Sequence, residues 1–193
     1  MKYQAVSTKG KSAHERFRVA GSGSRLEIVI PEKDIRRRVR ELGKQINRDY
    51  AGKTVHVVAI LENGFVFMAD LVRALTVPVV CSFVRSLMRD SDSGQVPVRE
   101  IMYLPPIDAT AKDLLLVVGV LQSGVTLDHL YRTLLAQEPA SLRTAALIDK
   151  TKDRKVDIAV DYSGFQLSGR FFVGYGLAYQ EHYRNLPFLA GVV

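Results

Sequence analysis

The chain has 193 residues, 47% hydrophobic and 24% charged, which suits a folded domain with a sizeable core and excludes a disordered chain. No apolar run approaches the roughly 20 residues of a membrane span, and no signal-peptide core opens the sequence, so a cytoplasmic protein with no membrane partner is expected. The net charge of +7 asks for an anionic partner without choosing among nucleic acid, a charged surface and small phosphates.

Residues 1–25 carry Lys2, Lys9, Lys11, Arg16, Arg18 and Arg25 against the single acid Glu15, amid Gly and Ser and without apolar periodicity. They read as a flexible basic arm, either a solvated tail or a contact for nucleic acid. From residue 26 to 193 the pattern is that of one domain. Leu26–Ile30 is a short strand, and Pro31 opens a helix with Ile35, Val39, Leu42 and Ile46 on one face and Arg36, Arg37, Arg40 and Arg48 off it. Lys53–Leu61 is a buried strand. Gly64–Leu75 is a helix turning Phe65, Met68, Leu71, Val72 and Leu75 inward. Val77–Val84 is a strand on which the lone cysteine, Cys81, is expected to be a small buried residue rather than a nucleophile.

Residues 86–97 are polar with turn signals and predict a loop, with a return strand at Ile101–Leu104. Leu114–Leu121 is continuously apolar, as a strand buried on both faces of a parallel sheet should be. A helix follows at once with Leu127, Leu130, Tyr131 and Leu134 on its stripe, and Ala145–Ile148 is a further strand. Strands alternating with amphipathic helices give an α/β fold with a mostly parallel central sheet. Beyond Lys155 the sequence turns to short strands, aromatics and turns. The histidines His14, His56, His129 and His182 show no ligand spacing, so no metal site is expected from them.

The junction Gln122-Ser123-Gly124-Val125-Thr126 joins a central-looking strand to its helix. Gly124 permits a tight turn, successive amides share one concavity, and the helix dipole adds positive potential. Ser123 and Thr126 add hydroxyl donors, so the loop suits a phosphate monoester. Capping alone produces many such loops; its place at the C-terminal end of a sheet strand strengthens the reading.

With this loop stand four other stretches in order: PEKDIRRRVRELGKQINRDYAGK, LENGFVFMADL, ALIDKTKDRKVDIAVDYSGF and FFVGYGLAYQEHYRNLPFL. From Ile30 to Val193 the chain resembles the hypoxanthine–guanine phosphoribosyltransferases. The resemblance implies a type I phosphoribosyltransferase fold with a small hood subdomain that binds the base. It also implies purine salvage, Mg2+ if the enzyme is active, and a homodimer or homotetramer.

In that family the strand before the loop ends in a Glu-Asp pair that holds the ribose hydroxyls of phosphoribosyl pyrophosphate, and an Asp opens the loop as the proposed base. The matching residues are Val118, Gly119 and Gln122. Two charge-assisted hydrogen bonds lost cost about 1.5–3 kcal/mol each in donor affinity. The family's pyrophosphate loop usually carries Lys where this chain has Glu62, followed by Asn63 and Gly64. Its C-terminal Asp, tied to Mg2+ and the base edge, is Ala178, and its Ser-Tyr pair is replaced around Leu87-Met88-Arg89-Asp90.

What the resemblance preserves is Lys150 toward the purine O6, Phe171 stacking on the base, Phe172 reading its edge through the backbone, and Arg184 on the pyrophosphate side. Without the family, Lys150 reads as a solvated loop lysine and the two Phe as core aromatics. The expectation is a protein that keeps a pocket for a purine nucleotide such as GMP or IMP, with weak or no transferase activity. The alternatives are an active enzyme making IMP or GMP with substitute groups such as Asp90 or Asp92, and a nucleotide-sensing or RNA-binding regulator.

Overall fold

The computed structural model describes residues 16–18, 25–89, 98–104 and 106–193. The expected arm lies outside the described residues except at Arg16–Arg18 and Arg25, and Asp90 and Asp92 lie outside them as well. In chain order the elements are β1 (Arg16–Arg18), β2 (Arg25–Ile30), α1 (Glu32–Asp49), β3 (Val55–Leu61), α2 (Phe65–Arg73), β4 (Val79–Arg89) and β5 (Val98–Leu104). They continue as β6 (Asp113–Leu121), α3 (Val125–Leu135), β7 (Ser141–Asp149), a 3-10 turn (Thr151–Asp153), β8 (Tyr162–Gln166), β9 (Phe172–Val173) and β10 (Leu189–Val192). Two compact units form: Val39–Ser168, and Met1–Arg38 with Gly169–Val193.

In the larger unit a six-stranded sheet runs in the order β5-β4-β3-β6-β7-β8. Five of these strands are parallel; only β5, the hairpin partner of β4, is antiparallel. β6 sits between β3 and β7, and its residues 114 to 118 are all buried, as its unbroken apolar sequence demands. Leu127, Leu130 and Leu134 of α3 pack into one cluster with Val58, Leu116 and Leu121. The smaller unit is an antiparallel sheet in the order β1-β2-β10-β9, with its own core of Leu26, Val173, Tyr183, Leu186 and Ala190. Three residues of the stretch read as an arm, Arg16–Arg18, pair with β2.

Pro31 starts α1 as expected: its carbonyl accepts from the amides of Asp34 and Ile35, and Ile35, Val39, Leu42 and Ile46 are all buried. Three expectations fail. Phe65 is 42% exposed, because α2 begins there and its buried stripe is centred on Phe67, Met68 and Leu71, leaving Phe65 at the margin. Cys81 is exposed: α2 packs on β3 and β6, and β4 lies one strand further out. The polar loop expected from residue 86 is strand as far as Arg89, because the backbone of β4 stays paired with β5 there; residues 90–97 lie outside the described ones.

Candidate functional site

β6 passes into α3 through Gln122, Ser123 and Gly124, and the turn depends on the glycine. Gly124 caps α3 with φ of 81°, in the left-handed region. A Cβ there would stand 2.9 Å from Val156 Cγ2 and 3.3 Å from Ile158 Cγ2, so crowding and backbone geometry both demand glycine. No side chain caps the helix, and its first-turn amides and dipole face the loop, an arrangement that favours an anion.

β3 and β6 stay in register only as far as the pair Ala59–Val117. Beyond it the strand ends frame a cavity of about 600 Å³. One lip carries Ile60, Leu61 and Asn63; the other carries Val118 to Ser123, with Gly124, Thr126 and Leu127 at the helix start. Asp153 and Lys155 complete the wall. Of the residues expected at a nucleotide site, Val118, Gly119, Gln122, Ser123, Gly124, Thr126 and Asn63 therefore share one cavity.

Val125, Glu62 and Gly64 are not in its wall. Val125 is the first residue of α3 and 41% exposed. Gly64 serves packing instead. A Cβ there would approach the Ile60 carbonyl to 2.9 Å and the Val117 carbonyl to 3.3 Å, so glycine lets the start of α2 lie against β6. Glu62 accepts a hydrogen bond from Arg85 Nη2 at 2.8 Å, and the register places Arg85 beside Leu61. The Glu62 carboxylate is thus answered by a cation of this same unit.

Lys150 is not a solvated loop lysine. It is 6% exposed, its amide donates to the Leu121 carbonyl at 2.9 Å, and its Nζ lies 3.6 Å from Asp153 Oδ2. The segment after it is fastened in place. Arg154 donates to Asp149 Oδ1 and to the Ile158 carbonyl, both at 2.6 Å. The Lys155 amide donates to the Ser123 carbonyl at 2.9 Å. This fastening brings Asp153 and Lys155 to the cavity. Neither was singled out from the sequence; the available signal was their position just after a strand adjacent to β6, at the same C-terminal sheet edge.

In the smaller unit Phe171 is 54% exposed, with Tyr179 set edge-on to it at 5.4 Å. An exposed, braced ring can stack on a planar group. Phe172 is a buried residue of β9, and Ala178 is half-buried. Arg184 donates to the Gly176 carbonyl at 2.8 Å and lies 3.5 Å from Glu181, so its guanidinium supports its own loop.

A bound Mg2+ needs several oxygen ligands, usually including one or two carboxylates. Among the described residues the cavity wall offers a single carboxylate, Asp153, with the Lys150 ammonium beside it. Among the described residues no three His, Cys, Asp or Glu side chains are grouped to hold a metal. The described residues of the wall do not fit Mg2+.

The phosphoribosyl transferase domain family matches residues 30–180. The hypoxanthine-guanine phosphoribosyltransferase of Dictyostelium discoideum is 39% identical over 167 residues, covering 84% of this chain and 93% of that protein. The hypoxanthine phosphoribosyltransferase of Salmonella typhimurium is 37% identical over 172 residues, covering 87% and 96%. The crystal structure of a hypoxanthine-guanine phosphoribosyltransferase from Bacillus anthracis superposes with a TM-score of 0.75 at 36% identity, over 87% of this chain and 99% of that one. Fold, order of elements and sequence agree across nearly the whole length: the chain belongs to the phosphoribosyltransferase family, among its hypoxanthine–guanine members.

Proposed function

We propose that this protein binds a finished purine nucleoside monophosphate, such as GMP or IMP, and has weak or no phosphoribosyltransferase activity. One observation carries the reading: Gln122, Ser123, Gly124 and Thr126 of the anion loop and the strand end Val118–Gly119 line the same cavity, and the side chains of that strand end are apolar or absent. The phosphate cradle is retained where the grip on a pyrophosphorylated ribose and its metal is not. Lys150, buried and following β7 at the sheet edge that carries the anion loop, supports a purine as the base. A general base at the reaction centre contributes about 10²–10⁴ in rate, and Gln122 cannot accept a proton at neutral pH. The family's habit of assembly supports a homodimer or homotetramer.

The test pairs binding with turnover. GMP or IMP should raise the melting temperature, whereas phosphoribosyl pyrophosphate with Mg2+ should not. Turnover of hypoxanthine or guanine with that donor at a rate typical of the family overturns the reading. It would favour the second one, an active enzyme, for which the names of the relatives speak.

A further inference from the structure

We infer that Arg154 is a positioning residue: it touches no ligand itself, and it sets the affinity of the anion loop by holding Lys155 beside it. The inference rests on the nucleotide-pocket reading above and concerns what keeps the phosphate end of that pocket in place.

Arg154 is not in the wall of the nucleotide cavity. With Asp149 and Ile158 it lines a second one, of about 530 Å³, and Lys155 lines both. The Arg154 guanidinium joins the two ends of the segment that carries Lys155. Nη2 donates to Asp149 Oδ1, on the last residue of β7, and Nη1 donates to the Ile158 carbonyl. The Arg154 and Asp149 side chains are 13% and 7% exposed, so these bonds form largely away from water. Arg154 Nε is buried and meets no hydrogen-bond partner among the described residues, which is unfavourable. A hydrocarbon in its place would avoid that cost but could not make the other two bonds. Between its ends the segment lies against the anion loop. The Lys155 amide donates to the Ser123 carbonyl, and a Cβ on Gly124 would meet Val156 Cγ2 at 2.9 Å and Ile158 Cγ2 at 3.3 Å.

Among the described residues the Lys155 amide makes the one hydrogen bond that ties residues 155–158 to the loop. With the guanidinium clasp removed, the lysine rests on that bond and on packing alone. An ammonium that must be ordered on binding gives less affinity than one already held in place. The clasp needs two donors in one plane. Arginine supplies them; lysine carries its charge at a single point and cannot span both acceptors.

The experiment is calorimetric titration of the full chain with GMP in a double-mutant cycle of parent, Arg154→Met, Lys155→Met and the pair. Arg154→Met should weaken GMP binding about tenfold. Lys155→Met should cost about tenfold or more in the parent, but less than about threefold once Arg154 is gone. Arg154→Lys should recover more of the parent's melting temperature than the methionine does, without recovering GMP affinity. A merely structural role would recover both together. Should Arg154→Met fail to fold, Arg154→Lys takes its place in the cycle. The inference is overturned if either Arg154 variant binds GMP within about threefold of the parent, or if Lys155→Met costs the same with and without Arg154. A parent chain that binds no GMP overturns the nucleotide reading and the inference with it.

Discussion

At the scale of single residues, Lys155 has the most to say about the ligand. Its backbone is fixed to the Ser123 carbonyl, and its side chain helps to line the cavity above the anion loop. An ammonium there forms a charge-assisted contact with a phosphate, worth about 1.5–3 kcal/mol. Lys155→Met should therefore weaken GMP binding about tenfold to a hundredfold by calorimetry. The side chain is exposed, so urea-unfolding stability should stay within about 0.5 kcal/mol of the parent. Unchanged affinity would show that the ammonium does not reach the ligand. The loop residues Ser123, Gly124 and Thr126 were legible because their chemistry is local: a glycine and two hydroxyls at the start of a helix. Lys155 was not, because only the bonds of Arg154 and the contact across to Ser123 turn a basic run into a cavity wall. Lys150 shows the same limit from the other side: the sequence alone could not separate a solvated lysine from a buried one.

At the scale of elements, polar side chains tie α1, β7 and β8 together. Asp49 Oδ2 accepts from Arg143 Nη1 at 2.6 Å and from the Tyr162 hydroxyl at 2.7 Å, and the Arg143 guanidinium lies 5.3 Å from the centre of the Tyr50 ring. The Tyr162 hydroxyl bond, helped by the Arg143 charge and opposed by burial, holds the Asp49 carboxyl below its ordinary value near 3.8. At the start of β6, Asp113 is also held low: burial pushes it up, but the bonds from Lys53 and Ser141 outweigh that push. A carboxyl with a depressed folded pKa contributes stability that is fully present above its unfolded value and is lost as the pH falls through the folded one. Arg143 and Asp49 are 36% and 41% exposed, so screening keeps their pair to about 1 kcal/mol. Arg143→Met should lose about that much in urea unfolding at neutral pH. The gap should close as the pH drops below about 3.8, where the parent loses the same interaction by protonation. A gap constant over the whole range would assign the loss to packing on Tyr50 instead. None of these partnerships was visible in the sequence, although α1, β6 and α3 were legible from apolar spacing alone. The end of β4 was not: an edge hairpin is held by backbone pairing, which leaves no periodic signature in its side chains.

At the scale of the whole molecule, the α/β architecture of the family and the proposed change in the charges of its site can be separated by experiment. Val118→Glu, Gly119→Asp and Gln122→Asp together would supply the acids that the family resemblance implies at these positions, and would remove three of the seven net positive charges. The burden on the fold is unequal. Gln122 is exposed and its carboxylate would stay hydrated. Val118 is 5% exposed within an apolar cluster, and a carboxylate there would cost roughly 3 kcal/mol until a ligand or metal answers it. Against a typical stability of about 5–15 kcal/mol, the triple variant should fold with a lowered melting temperature. It should then be stabilised by phosphoribosyl pyrophosphate with Mg2+, a donor the parent is expected not to hold. Should the glutamate at 118 prevent folding, Gly119→Asp with Gln122→Asp restores one ribose ligand and the base without touching the apolar cluster, and should gain a smaller share of donor affinity. A folded variant that gains none would mean that the cavity beside the anion loop does not receive the donor's ribose. The proposed weakness of donor binding would then have to arise elsewhere, first in the Glu62–Arg85 pair, which holds a carboxylate where the resemblance implies a lysine.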